Sequence, residues 1–297
     1  MDFNISGFAG MDNLQDAARL KGPTASEPTS AAESVQIVNF DVSDTISAST
    51  RGGVSKFYSG TPHSIHHSGL FVEGSSLKML LPDFSTVITV CPLQSPSSPM
   101  SYAPVNYLTV CSNGVDLFMV QSGVITPFSA PTANFKEAIQ PAQIVFYFGR
   151  RLYYAVGPAL YYSDADNIEQ ADTRDNPFVF NKPITMALAL DNGIYVGADK
   201  VYWLAGRTPE EMTTPGVAYD GTAIMGTGVT FDGSLVGGSG KVGMFTATDG
   251  ICICSDGGQI ENITLKKISF SNGHVGAALI KQRAGQQSNI NQYISWV

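Results

Sequence analysis

The sequence predicts an all-β protein, a β-propeller of five or six blades that follows an extended N-terminal arm. Two observations predict it. A hairpin-like pattern recurs five times, beginning at Leu70, Leu108, Leu152, Ile194 and Ile251, at intervals of 38, 44, 42 and 57 residues. Each copy has three or four strand-forming residues, a small or polar turn with Gly, Asn or Asp, and a second alternating apolar run. Ile194-Tyr195-Val196-Gly197-Ala198-Asp199-Lys200-Val201-Tyr202-Trp203 is one example. Four strands per roughly 40–50 residues is the spacing of propeller blades. The second observation is composition. Charged residues make up only 14% of the chain while glycines number 30. That suits many strands joined by tight turns better than helices held by Glu–Lys pairs.

Taken in order, residues 1–34 differ from the rest. Residues 12–20 have the pattern of two helical turns stopped by Gly22-Pro23, and residues 24–34 are rich in Ala, Ser, Thr and Pro. They read as a loose terminus or as an arm ordered against a neighbouring subunit. Exposure of Phe3, Ile5, Phe8 and Met11 would otherwise be costly, which favours the arm. The propeller is then assigned to residues 35–297, starting with strands at 35–40 and 45–49. His63 to Leu80 opens the first repeat, and residues 86–90 continue it after the Pro82-Asp83 turn. The Ser/Pro-rich stretch 92–99 is an inter-blade loop. The third unit runs through residues 144–148, turns at Gly149-Arg150-Arg151 and returns at Leu152 and Leu160, before a polar loop at 164–177. In the fourth, Asn192-Gly193 between apolar runs is a strong hairpin signal. The fifth pairs residues 242–247 with the strand after Asp249-Gly250. Residues 275–281 and 291–296 form a sixth sheet that residues 35–40 would close, which removes the exposed edge.

The net charge of −8, with no run of Lys or Arg longer than two, excludes a phosphate-gripping surface. An acidic ring wall would instead let DNA pass without sticking. Met1-Asp2-Phe3-Asn4-Ile5 has no basic n-region, and no run of about eighteen apolar residues marks a membrane span, so folding in a cytosol is expected. Four cysteines are too few for a disulfide scaffold of this length.

Candidate chemistry is thin. His63, His66 and His67 invite a metal, but on a strand His66 would face away from the other two, so packing or loop hydrogen bonding is the expectation. Cys252 and Cys254 share one strand face and, with Cys91 and Cys111, read as buried free thiols. The acids Asp164, Asp166, Glu169, Asp172 and Asp175 lack the spacing of a calcium loop, and a solvated loop is expected. Ser163-Asp164-Ala165-Asp166 and Ser255-Asp256-Gly257-Gly258 resemble part of the sialidase Ser-x-Asp-x-Gly-x-x-Trp turn, but lack its spaced Asp and its Trp. Residues 226–240 contain no phosphate-binding loop and read as turns with close-packed inner strands.

From Gly149 onward the chain carries a series of blocks that resemble those of one known family. The matching blocks begin with Gly149-Arg150-Arg151-Leu152-Tyr153-Tyr154-Ala155 and Leu160-Tyr161-Tyr162-Ser163. They continue with Gly193-Ile194-Tyr195-Val196-Gly197-Ala198 and Trp203-Leu204-Ala205-Gly206-Arg207-Thr208-Pro209. They end with Phe245-Thr246-Ala247-Thr248-Asp249-Gly250-Ile251-Cys252, Ser255-Asp256-Gly257-Gly258 and Asn262-Ile263-Thr264. Gly10-Met11-Asp12-Asn13 and Gly60-Thr61-Pro62-His63-Ser64-Ile65 fit more loosely. The resemblance, to the β-propeller tail nozzle and hub components of tailed-bacteriophage virions, implies a non-enzymatic structural protein of the phage tail or neck. It would assemble in the bacterial cytoplasm as a homo-oligomeric ring near the DNA exit channel, with other virion proteins as partners and no cofactor, metal or catalytic residue. The alternative is a tail-tip propeller that binds a host-surface receptor or sugar, stacked on Tyr102, Tyr161, Tyr162, Tyr202 and Trp203.

Overall fold

The computed structural model describes residues 4–6, 8–11, 32–34, 40–42, 47–50, 58–212, 215–236, 239–264, 268–271, 275–283 and 290–297. The protein is all-β, and its regular elements among these residues are strands and one 3-10 turn, Gly233–Val236. The helical turns expected at 12–20 lie outside the described residues, as does the closing strand expected at 35–40 except Phe40, which pairs with Thr50. Near the N-terminus, Ser47–Thr50 pairs antiparallel with both Asn4–Ser6 and Phe40–Val42.

Five antiparallel sheets follow, each with its strands side by side in chain order. The first holds Leu70–Glu73, Ser76–Leu80 and Val87–Pro92. His63 makes an isolated bridge to Val72 where a fourth strand would lie. The second holds Ser101–Val105, Leu108–Ser112, Leu117–Gln121 and Val124–Thr126. The third holds Ile144–Phe148, Arg151–Val156, Ala159–Tyr162 and Phe178–Val179. The fourth holds Met186–Ala189, Gly193–Gly197, Val201–Ala205 and Gly216–Tyr219. The fifth holds Val229–Asp232, Lys241–Ala247, Gly250–Ser255 and Gln259–Asn262. An antiparallel hairpin, Ala277–Arg283 with Ile290–Trp296, comes last, where the sequence places a sixth sheet.

The recurring motif is the second and third strand of sheets two to four, and of the first sheet once the His63 bridge is counted as its first strand. In the fifth sheet it is the third and fourth strand, because Lys241–Ala247 precedes Gly250–Ser255. The long 57-residue interval is therefore largely a slip of one strand within the repeat.

Turn chemistry explains the hairpins. Gly149 (φ 54°) and Arg150 (φ 69°) both take left-handed φ, as do Ser122 (49°) and Gly123 (80°). Two central residues with positive φ make the turn whose twist matches paired strands. Asn192-Gly193 works differently. Gly193 already sits in its strand, and a Cβ there would lie 2.4 Å from the Leu204 carbonyl oxygen and 2.5 Å from the Trp203 ring.

The core is a series of apolar layers between successive sheets. Leu70, Val72, Leu77 and Cys91 meet Cys111 and Val120 between sheets one and two. Val110 and Met119 meet Leu152 and Tyr154 between two and three. Tyr153 and Leu160 meet Ile194 and Leu204 between three and four. Tyr195 and Val201 meet Phe245 and Cys252 between four and five. Phe231 and Met244 meet Ile280 and Tyr293 of the last hairpin. A sheet packed on both sides buries both faces of its central strands, and every residue of Gly193–Gly197 is buried. Strands Ser101–Val105, Ile144–Phe148, Met186–Ala189, Val229–Asp232 and Ala277–Arg283 are neighbours in that order, so the first strands of sheets two to five and the last hairpin adjoin in series.

Candidate functional site

A cavity of about 790 Å³ lies between the first strands of sheets two to five. Ser101, Tyr102, Tyr147, Thr185, Met225 and Lys241 are among its lining residues. Lys241 is its one charged lining residue among those described; no carboxylate, histidine or thiol faces it. Among the described lining residues there is no acid–base pair and no ligand set for a metal. Ser101 is engaged in holding sheets together: its Oγ accepts the Val145 N–H at 3.0 Å and donates to the Val145 carbonyl at 3.3 Å.

Similar side-chain bonds to main chain tie the other sheets. The buried Asp116 carboxylate accepts the backbone N–H groups of Gln94 (3.0 Å) and Ser95 (3.1 Å) and the Asn113 side-chain amide (2.9 Å). Those hydrogen bonds hold its carboxyl below the usual carboxylate range against the opposing effect of burial, the largest single influence. Ser112 Oγ donates to the Ala142 carbonyl at 2.8 Å, and Thr185 Oγ1 to the Ala223 carbonyl at 2.9 Å. Asp191 accepts the Lys241 backbone N–H at 2.7 Å, and the Tyr195 hydroxyl donates to the Gln259 carbonyl at 3.0 Å. The Tyr293 hydroxyl donates to the Thr227 carbonyl at 2.8 Å, which fastens the last hairpin.

The histidines occupy a turn, not a strand, apart from His63 in its bridge. His63 Nε2–H donates to the Pro96 carbonyl at 2.9 Å, so its Nδ1 accepts the Ser64 hydroxyl at 3.0 Å. Ser64 Oγ in turn accepts the Met100 N–H at 2.9 Å. His66 stacks on Tyr102 at 4.9 Å, and burial, then the neighbouring His67, push its pKa down to about 4. Among the described residues no cluster of metal-ligating side chains converges. The histidines brace the junction of sheets one and two.

All four cysteines are free and buried. Burial pushes the thiols up, Cys91 to about 11 and Cys252 and Cys254 to about 12, and Cys111 also upward. Thiols so placed carry almost no thiolate at neutral pH. Cys252 and Cys254 share a buried strand face, as their spacing predicts.

The acidic loop is exposed at residues 165–167 and 173–176, as expected of a solvated loop, while two of its acids are held by a lysine. Lys136 Nζ lies 2.8 Å from Asp164 and 3.0 Å from Asp172, and so neutralises both carboxylates. Arg174 hydrogen bonds first, then Lys136, hold the Asp172 carboxyl far below its usual range. Strand Gln170–Asp172 within the loop pairs with Lys136–Ala138 from the link between sheets two and three. Ser163 Oγ accepts the Leu152 N–H at 2.9 Å, and Asp256 accepts the Asn192 side-chain amide at 3.0 Å, so both sialidase-like turns serve as local ties. The Gly-rich stretch is close-packed as expected, since a Cβ on Gly228 would lie 2.9 Å from Leu188.

The aromatic set is spent on packing. Tyr161 stacks on Tyr154 at 5.4 Å, Tyr202 lies 5.2 Å from Phe180, and Trp203 lies 4.5 Å from Tyr195. Arg151 covers the Tyr162 ring at 5.5 Å. The structure does not bring these five residues together as a platform. The sequence reading missed Asp116 and Asp191. A signal for the first exists: Asp116 is the single charged residue between Phe84 and Phe135.

No family model matches this chain. No curated protein matches it either. Solved structures similar to it include an auxiliary nutrient binding protein from Bacteroides thetaiotaomicron, at a TM-score of 0.46 and 12% identity over 68% of this chain and 57% of that one. A chain of a Saccharomyces cerevisiae complex of Dbp5 with Nup159 and Gle1 follows, at 0.42 and 12% over 72% of this chain and 67% of that one. Hsv2 of Kluyveromyces lactis has a TM-score of 0.39 and 11% identity over 80% and 85% of the two chains. This chain thus spans little more than half the length of the first of these. Likeness at this level establishes neither a family nor a function.

Proposed function

We propose that this chain is a non-enzymatic structural component of a tailed-phage virion, part of the tail or neck. It acts as a rigid propeller of six sheets that assembles into a ring around or near the DNA exit path. The last hairpin serves as the inner part of the sixth sheet, which closes against the first. The observation that carries the reading is where the chemistry-bearing side chains go. Asp116, Ser101, Thr185, Asp191 and Tyr195 are used to hold one sheet to the next, and Lys136 fills the acidic loop. Such a body works by shape and stiffness. The motif resemblance from Gly149 onward supports the same reading.

The test is cryo-electron microscopy of intact virions, with mass-spectrometric stoichiometry of this chain in them. A six- or twelvefold ring on the DNA path is the expected result. Absence from purified particles would overturn the proposal, and a peripheral threefold assembly would move the role to adsorption.

A further inference from the structure

Charge is distributed unevenly over the molecule. Between Phe84 and Phe135 the sequence carries a single charged residue, Asp116, and that residue is buried. The outer strand of the first sheet and all of the second sheet therefore present a surface without charge. At one end of these sheets lie Ile65, Tyr107 and Val124, exposed by 71%, 76% and 67%. In antiparallel sheets the first–second and third–fourth connections share an end, and Ile65, Tyr107 and the Ser122-Gly123 turn before Val124 all lie in such connections. Gly123 approaches Ile88 and Met79 of the first sheet, so the two sheets present that end together. Charge depletion around exposed aromatic and aliphatic groups is the composition of an interface centre. Charge borders it: exposed Asp83 lies in the turn that leads into Val87–Pro92, and Lys78, which pairs with Glu73, adjoins that strand through Thr89.

The edge of the second sheet adds a backbone observation. Val124–Thr126 is the outermost strand, paired on one side only, and all three of its side chains are exposed. The other outer strands are protected in the ways natural edges usually are. Phe178–Val179 has two residues, and Gln259–Asn262 contains Glu261. Gly216–Tyr219 pairs with a register shift at Val201/Tyr202, and Val87–Pro92 pairs with one at Leu77/Lys78. Val124–Thr126 has neither a charge nor a shift in its pairing.

We propose that this charge-free sector is a self-association surface. On it a second copy of this chain docks, with Val124–Thr126 pairing antiparallel to its equivalent about a two-fold axis at Ile125. The occupant follows from charge. With a net charge of −8, two copies that approach through other sectors bring like charges together. A surface without charge meets its own image without repulsion, and a two-fold contact requires such self-complementarity. The inference does not rest on the virion role.

The test is sedimentation of the full chain across a wide concentration range. A mass that rises from 31.6 kDa to twice that value is expected. Val124→Lys and Tyr107→Glu are expected to weaken the association by about tenfold or more, with unchanged circular dichroism melting. Val217→Lys on the outer strand of the fourth sheet is expected to leave it intact. Ile125→Cys is expected to form a covalent dimer under mild oxidation, because the native thiols are buried. A single-copy mass at every concentration overturns the proposal. So does a doubled mass that survives Val124→Lys, or an Ile125→Cys protein that does not cross-link.

Discussion

Asp116 shows what one side chain does here. Its carboxylate accepts three N–H groups, two of them from the link between the first two sheets, while burial denies those groups water. Asp116→Ala is expected to destabilise the protein by about 2–3 kcal/mol, read by urea denaturation, because buried donors are left unpaired. Asp116→Asn should recover part of that loss. His66 has the opposite relation to charge. Its folded pKa of about 4 lies below the ordinary 6.5, so only the unfolded chain binds its proton between those values. Stability is then full above pH 6.5 and falls by roughly 1–3 kcal/mol as the pH drops toward 4. His66→Phe, which keeps the stack on Tyr102, is expected to flatten the melting temperature through that window. Asp172, whose pKa is depressed, contributes stability above the ordinary carboxylate range that is lost only at lower pH. The pH dependence of melting therefore separates the two groups.

At the scale of elements, turns and close approaches set the hairpins. Gly193→Ala places a methyl group 2.4 Å from the Leu204 oxygen, a main-chain atom that cannot move alone. A loss of about 2 kcal/mol or more is expected in thermal melts, from the strain of overpacking. Arg150→Gly should run the other way, with up to about 1 kcal/mol gained, since Arg150 holds a left-handed φ that glycine takes without strain. Loss of its exposed pair with Asp166 subtracts little. The hairpins were legible in the sequence because alternation and Gly-containing turns are local signals. The phase of the fifth repeat was not, because Lys241–Ala247 and Gly250–Ser255 both read as the strand before a glycine turn. Asn192-Gly193 marked a hairpin correctly for a different reason: Gly193 is needed where Trp203 and Leu204 come close, with the turn made by the residues before it.

For the whole molecule, stability is a property of the boundaries between sheets. Each boundary has an apolar layer, and those between sheets one and two, two and three, four and five, and five and the last hairpin are also crossed by a polar side chain. Contacts so distant in sequence make for slow folding, and refolding on a timescale of milliseconds to seconds or longer is expected in stopped-flow fluorescence of the two tryptophans, Trp203 and Trp296. Native protein is also expected to leave Ellman's reagent unreacted and to expose four thiols only on unfolding. A native thiol that reacted at once would mean that one of these layers opens. These boundaries were only half legible. The apolar residues declared themselves by periodicity, but the partners of Asp116, Thr185 and Asp191 lie 21, 38 and 50 residues away, beyond any local pattern. The histidine and acidic clusters were legible as clusters, whereas Lys136, which determines what the acids do, stood apart from them in the chain.

The crossing side chains have one property in common, which bears on how such a chain changes over generations. Asp116, Ser101, Ser112, Thr185, Asp191 and Tyr195 all seize amide or carbonyl groups that every residue type except proline supplies in full. The recipient strand is thus recognised without regard to its letters. As far as these hydrogen bonds go, drift in one sheet needs no matching drift in the next, so the polar joints can stay intact while the apolar layers beside them change together.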